Sequence, residues 1–169
     1  FCSQKCTYCN FASGVFPEES RRHYHKALLD EIEQHEWKWT PDTIYWGGGT
    51  PSLLDLDVLA GIMAAIPRAE IGESTLECAP GTVTTERARA WRACGINRVS
   101  LGVQSFVTAE ARRTGRKHTP AIVAEEMQIL AEAGIPNVNI DLIAGLPGQT
   151  FASWNESLEW IERLRPPHV

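Results

Sequence analysis

Three cysteines lie close together near the start of the chain, at Cys2, Cys6 and Cys9. Gaps of three and two residues let three thiolates of one loop converge on a compact soft-metal centre. Three ligands saturate neither a structural zinc site nor an ordinary four-cysteine [4Fe–4S] cluster, so one coordination position stays open. The spacing therefore predicts a reactive cluster with one iron that no side chain ligates. The alternative is a zinc knuckle that borrows His23 or His25 as its fourth ligand.

A second set of polar and glycine residues falls where short apolar segments end. It comprises residues 47–50 (GGGT), Glu77, Gln104 and Asp141. Glycines after a strand let the backbone approach a ligand closely, although such a loop is often only a turn. No Gly-Lys follows these glycines, which excludes a phosphate-binding P-loop. Asp141 lies between two apolar residues, a setting in which a carboxylate indicates a ligand contact.

Helical and extended segments alternate around these residues. The periodicity predicts helices at about 17–35, 53–66, 84–94, 119–134 and 153–164, and strands at 43–46, 75–79, 98–103 and 138–142. The junctions at Gly95 and Gly134 share a helix end, a glycine, an isoleucine and a strand start, which indicates repeated βα units. Such units form a doubly wound parallel sheet or a (βα) barrel. In both, ligands bind at the carboxyl ends of the strands, where the polar set lies.

Amino-acid composition and net charge exclude some classes of function. The chain has 169 residues, of which 43% are hydrophobic and 22% charged, as in an ordinary globular domain. Sixteen Lys and Arg against 21 Asp and Glu give a net charge of −5, the wrong sign for nucleic acid or an anionic membrane. No apolar run approaches the roughly 20 residues of a membrane span. Clustered cysteines without a leader favour metal binding in the cytoplasm over a disulfide framework.

The cysteine spacing, with Tyr8 before the third cysteine and a GGGTP strand end further on, resembles the radical S-adenosylmethionine (SAM) proteins. More narrowly, five ordered blocks resemble the oxygen-independent coproporphyrinogen III oxidase-like family, at residues 1–11, 45–52, 77–83, 98–106 and 139–150. The resemblance covers the chain almost end to end. It implies an α/β fold, a partial (βα)6 barrel of the radical SAM type, with residues 1–169 as an incomplete core domain. The first strand would precede Cys2, the sixth would begin near His168, and a C-terminal region would follow.

The resemblance also implies a set of site residues. Cys2, Cys6 and Cys9 would ligate a [4Fe–4S] cluster whose fourth iron is chelated by SAM. One electron from the cluster would cleave the sulfonium C–S bond and give a 5′-deoxyadenosyl radical. Contacts to SAM would come from Gly48, Gly49, Thr50, Glu77, Gln104, Arg116 and Asp141. Carboxylates can accept from the amino group and ribose hydroxyls, and arginine can pair with the SAM carboxylate. Arg116 is singled out by the resemblance alone, because its polar surroundings are typical of a solvated loop.

Two function classes remain open within that family. One is an oxidase that decarboxylates the propionates of coproporphyrinogen III. The other is a heme chaperone of the same family, which binds heme and passes it to acceptor proteins. The oxidases carry a further cysteine two positions after the third ligand, where this chain has Phe11, and residues 77–83 look more chaperone-like. The resemblance therefore favours the chaperone, with its heme or porphyrin site outside this chain.

The expected partners are heme or porphyrin, possible heme-acceptor proteins, and a reductant protein such as flavodoxin or ferredoxin. No nucleic acid partner and no transmembrane segment are expected. A third reading, a tRNA-modifying radical enzyme, is disfavoured by the acidic balance and the lack of a basic stripe.

Overall fold

A computed structural model describes residues 1–67 and 72–169, and its centre is a parallel sheet. The sheet has the order β1-β2-β3-β4, with β1 at Thr43–Trp46, β2 at Glu73–Cys78, β3 at Arg98–Gln104 and β4 at Asn137–Leu142. Neighbours in the sheet are also neighbours in sequence, so each pair is joined by one crossover, as repeated βα units require. A further extended segment reaches the other side of β4, where the Ile140 N–H donates to the His168 carbonyl at 3.1 Å. The family resemblance implies that the sixth strand begins near this point.

The helices follow the predicted order with one addition. They are α1 at Glu18–Gln34, α2 at Leu56–Ala65, α3 at Thr85–Ala93, α4 at Thr108–Arg113, α5 at Pro120–Glu132 and α6 at Phe151–Leu164. Threonine hydroxyls at Thr84, Thr119 and Thr150 accept backbone N–H groups in the first turns of α3, α5 and α6. These caps explain why the helices start where they do.

Two helix boundaries differ from the sequence prediction, and one helix is new. The segment 53–66 is a 3-10 turn at Pro51–Leu53 followed by α2, because Asp55 has an extended backbone. Helix α6 begins earlier than predicted because its cap is Thr150. Helix α4 was not predicted at all. Its own residue Glu110 is buried. The Glu110 carboxylate accepts hydrogen bonds from the Ser105 hydroxyl at 2.7 Å and from the Gln149 amide at 3.3 Å.

The two faces of the sheet differ in chemistry. One face is apolar and packs on the helices, through strand residues such as Leu76, Val99 and Ile140 and helix residues such as Trp91 and Leu130, all of them fully buried. Side chains that alternate with these point to the opposite face and are polar. They are Tyr45, Thr75, Glu77, Arg98, Ser100, Asn139 and Asp141. A doubly wound sheet buries both faces under helices, whereas a barrel carries its helices outside, so this arrangement fits the barrel.

Candidate functional site

The three cysteines of the N-terminal loop line one cavity of about 430 Å³. The three residues are half-buried, and their thiols form no disulfide. Thr50 and Arg116 line the same cavity, together with Gly49. The structure therefore gathers these predicted site residues around one space.

The cysteine loop is fixed by the end of α4. The Thr7 N–H donates to the Thr114 carbonyl at 3.2 Å, and the Thr7 hydroxyl donates to the Arg113 carbonyl at 3.2 Å. The Gln4 side-chain amide donates to the Gly115 carbonyl. The helix that the sequence did not predict thus supplies the acceptors that position the thiols.

The environment of Cys9 favours the thiolate, which is the form that ligates iron. The Phe11 N–H is the main cause of a lowered pKa at Cys9, and the Ser13 hydroxyl adds to it. The Lys5 ammonium lies 4.0 Å from the Cys9 sulfur and is held there by the Phe11 carbonyl at 2.8 Å and the Ser13 carbonyl at 2.9 Å. The donor chemistry of this loop fits an iron–sulfur cluster.

A single-ion site has less support. Within residues 1–67 and 72–169, no group of three or more His, Cys, Asp or Glu side chains is placed to hold one metal ion. His25, a candidate fourth zinc ligand, is buried against the Phe1 ring at a centroid distance of 6.4 Å. His23 is exposed on α1.

Arg116 lies in the cavity rather than in a solvated loop. Its terminal Nη2 donates to the Tyr8 hydroxyl at 2.9 Å, which ties it to the cysteine loop. Burial raises the pKa of Tyr8, so the phenol stays protonated. The Nε of Arg116 is buried and has no hydrogen-bond partner in the described part of the chain. A buried donor of this kind requires an acceptor, and a carboxylate is the best match for a guanidinium.

The glycine segment after β1 packs tightly against the start of the chain. A Cβ at Gly49 would overlap the backbone of Phe1. Gly48 has a φ of +117°, which favours glycine, and its N–H donates to Glu77 Oε2 at 3.2 Å. The other oxygen of Glu77 accepts from the Tyr45 hydroxyl at 3.0 Å. Glu77 therefore joins the end of β2 to this segment.

Gln104, Arg116 and Asp141 converge around Gly102. A Cβ at Gly102 would lie 2.9 Å from Gln104 Nε2 and 3.3 Å from Arg116 Nη2, so only glycine leaves room for both side chains. Asp141 is the partner of Gly102 in the β3–β4 register. Its carboxylate accepts from the Ser100 hydroxyl at 2.9 Å, and Gln104 ends β3 with a φ of +69°.

The predicted residues thus form two adjoining groups. The cysteines, Gly49, Thr50 and Arg116 line the cavity, whereas the lining does not include Gly48 or the trio of Glu77, Gln104 and Asp141. These three occupy the carboxyl ends of β2, β3 and β4 on the polar face. Arg116 above Gly102 joins the two groups, as does the Glu77–Gly48 hydrogen bond.

His118 is a cavity residue that the sequence did not indicate. Its side chain is 4% exposed, it lines the cysteine cavity, and burial and then Arg116 lower its pKa. The backbone at Val103 and Ser105 offsets part of this shift, but neither ring nitrogen makes a hydrogen bond of normal geometry within the described residues. The spacing of the histidines carries no signal that could have identified it.

Comparison with known proteins places this site in a family. Residues 1–161 match the model of the Radical SAM superfamily. The chain belongs to the radical SAM superfamily. The heme chaperone HemW of Lactococcus lactis is 36% identical over 100% of this chain, and that of Escherichia coli is 35% identical. The oxygen-independent coproporphyrinogen III oxidase of Paracoccus denitrificans is 30% identical.

A solved radical SAM structure has the same fold. Coproporphyrinogen III oxidase (HemN) from Escherichia coli superposes with a TM-score of 0.88 at 26% identity, covering 98% of this chain and 40% of its own. The chain spans 45% and 47% of the two chaperones named above and 40% of the Paracoccus oxidase, about half or less of each relative.

These comparisons confirm the predicted family and the α/β fold of the radical SAM type. Radical SAM proteins use SAM and a [4Fe–4S] cluster. The cysteine cavity fits those groups, as does the Arg116 Nε, which lacks a partner within the described residues. In the described residues, no helix has the length and apolar character that crossing a membrane requires.

Proposed function

We propose that this chain is the cluster- and SAM-binding core of a heme chaperone. The observation that carries the proposal is its similarity to chaperones named HemW from four bacteria, at 33% to 36% identity over 100% of the chain. Because the chain spans about half of those proteins, heme binding and transfer to acceptor proteins are proposed for the whole protein.

In this proposal Cys2, Cys6 and Cys9 hold the [4Fe–4S] cluster. Their shared cavity, and the Lys5 and Phe11 contacts that favour the Cys9 thiolate, support that role. When bound, the cluster and SAM supply one-electron radical chemistry. The residues of the chain bind these groups, orient them and exclude water.

The SAM contacts follow the two groups of the site. Arg116 would pair with the carboxylate of SAM through its guanidinium, whose Nε has no partner among the described residues. Glu77 and Asp141 would accept hydrogen bonds from the amino group and ribose hydroxyls. The remaining proposed contacts come from Gly48, Gly49, Thr50 and Gln104. The open space beside Gly48 supports close approach of the backbone to a ligand.

Phe11 supports the chaperone over the oxidase. Its backbone N–H lowers the pKa of the Cys9 thiol, while its side chain is 70% exposed. The chain therefore presents a phenyl ring at the position where the resemblance expects the additional thiol of the oxidases.

The second candidate is an oxygen-independent coproporphyrinogen III oxidase. The TM-score of 0.88 with the Escherichia coli oxidase favours it, as does the 30% identity to the Paracoccus oxidase. In either case a reductant protein such as flavodoxin or ferredoxin would supply electrons, and a cytoplasmic location remains the prediction from cysteine usage.

The test uses the full-length protein with its cluster reconstituted anaerobically. We expect a heme titration to saturate, read from the heme absorption band. We also expect no conversion of coproporphyrinogen III to protoporphyrinogen IX with SAM and a reductant, read by porphyrin chromatography. Many turnovers per cluster would overturn the chaperone proposal in favour of the oxidase. Failure to bind heme with an intact cluster would overturn it as well.

A further inference from the structure

A buried carboxylate on α5 holds the loop that follows β2. Glu126 is 3% exposed, and its Oε1 accepts the N–H groups of Gly81 and Val83, each at 2.8 Å. Its Oε2 is buried and has no hydrogen-bond partner among the residues that the structure describes. Burial raises the pKa of Glu126 to about 7, and the three backbone groups of residues 81–83 only partly offset this effect. The carboxylate is therefore expensive to keep ionised in this position.

The loop that Glu126 holds borders the cysteine cavity. Pro80, Gly81 and Thr82 line that cavity together with the three cysteines and Arg116. Gly81 has a φ of +92°, so the turn depends on a backbone conformation that most side chains disfavour. The position of these three residues sets one wall of the space proposed for the cluster and SAM.

The opposite side of the loop is held by a second buried group. The Ser52 hydroxyl accepts from the Ala79 N–H at 3.2 Å and lies 2.7 Å from the Thr82 hydroxyl. Ser52 is fully buried and directly follows the GGGTP segment. The loop is therefore clamped between the glycine segment on one side and α5 on the other.

We propose that Glu126 is a positioning residue for SAM binding, which acts by fixing residues 79–83 along the cavity wall. The inference rests on the proposed SAM site. It adds to that site a residue of α5 that does not itself line the cavity. An ionised carboxylate with one unpartnered oxygen is a poor way to stabilise a fold. It is an effective way to fix two neighbouring N–H groups, because hydrogen bonds to a charged acceptor are stronger than neutral ones.

Among the residues that the structure describes, the titratable groups around Glu126 do not provide another partner. Glu125 is its neighbour on the same helix and opposes its ionisation. The Cys78 thiol at the end of β2 also lies near, and Glu126 contributes to the raised pKa of that thiol. The N–H groups of the loop are thus the contacts that stabilise the charge.

The experiment compares Glu126→Gln with Glu125→Gln in full-length, cluster-loaded protein. Glu125 is exposed on the same helix, so the control makes the same chemical change without touching the loop. We expect Glu126→Gln to keep its cluster absorbance but to raise the Kd for SAM by roughly 3- to 30-fold, the range of indirect coupling. Glu125→Gln should stay within about twofold of the wild type.

A second measurement needs no cofactor. In cluster-free protein, amide hydrogen exchange at Gly81 and Val83 should be faster in Glu126→Gln than in Glu125→Gln, because the clamp is weakened. Thermal stability separates positioning from a merely structural role. The Gln variant should melt no lower than wild type at pH 8, where burying the charge is most costly.

The outcomes are distinguishable from failure of the proposed function. If wild-type protein binds neither cluster nor SAM, the proposed function fails, and the exchange measurement still tests the clamp. Unchanged SAM affinity or unchanged exchange in Glu126→Gln overturns the inference. If that variant does not fold, Glu126→Asp replaces it, since it keeps the charge but draws the carboxylate away from the loop. Unchanged SAM affinity in Glu126→Asp has the same meaning.

Discussion

Replacing Arg116 by glutamine should weaken SAM binding without weakening the fold. In the structure the guanidinium makes one side-chain hydrogen bond, to the Tyr8 hydroxyl at 2.9 Å, and its Nε is buried with no partner in the described part of the chain. An unsatisfied buried donor destabilises the protein until a ligand satisfies it. The variant removes this donor, so its melting temperature should match or exceed that of wild type.

The expected loss of affinity follows from the bond that Arg116 would form. A hydrogen bond to a charged group contributes about 1.5–3 kcal/mol, which corresponds to roughly 10- to 150-fold in Kd. Arg112→Gln is the matched control, because Arg112 belongs to the same basic run but is exposed on α4. It should leave the Kd for SAM unchanged.

Tyr8→Phe separates the two contacts of Arg116. It removes only the hydroxyl that orients the guanidinium and leaves the guanidinium itself available to SAM. SAM affinity should therefore fall less than in Arg116→Gln. The measurement is isothermal titration of SAM into full-length, cluster-loaded protein under anaerobic conditions. Equal affinities in the Arg116→Gln and Arg112→Gln proteins would refute the reasoning and return Arg116 to a structural role.

Three other variants test separate parts of the site. Cys9→Ala should abolish the cluster, whereas Cys78→Ala, at a buried thiol whose pKa burial raises, should keep it; iron and sulfide analysis decides. Glu77→Gln should keep the cluster but weaken SAM binding by about 1.5–3 kcal/mol, and an unchanged Kd would count against Glu77 as a contact. Glu126 has a folded pKa of about 7 against an ordinary 4.5. Below pH 4.5 the protonated form therefore stabilises the fold by about 3 kcal/mol, and this contribution is lost as the pH rises through 7. Urea titrations at pH 5 and 8 should show that loss in wild type and a smaller one in Glu126→Gln.

The sequence predicted the sheet well because its signals are local. Alternating apolar residues identify each strand, and threonine caps mark the starts of α3 and α5. Helix α4 escaped prediction because its formation depends on a buried carboxylate, Glu110, that is satisfied by Ser105 and by Gln149 from a distant segment. No local pattern reports a contact of that kind.

The residues of the candidate site also differ in whether local sequence could identify them. The cysteines are recognisable from spacing alone, whereas Arg116 was identified only through a family resemblance. Its true setting depends on Tyr8 and on the missing side chain at Gly102, both remote in sequence. Glu126 could not be recognised, because a glutamate in a helix is ordinarily solvated and only tertiary structure places it under the loop after β2.

The attachment of the cysteine loop to the end of α4 uses main-chain carbonyls as acceptors, at Arg113, Thr114 and Gly115. Most side-chain substitutions at the first two positions would leave those carbonyls in place. Gly115 is the exception, since its φ of +89° restricts the residue itself. Adding or deleting a single residue between α4 and Arg116 would instead shift the carbonyls that follow α4 relative to the one at Arg113, so the loop could not bind all of its acceptors together. In an evolving lineage, this junction should therefore tolerate changes of residue type far more readily than changes of length.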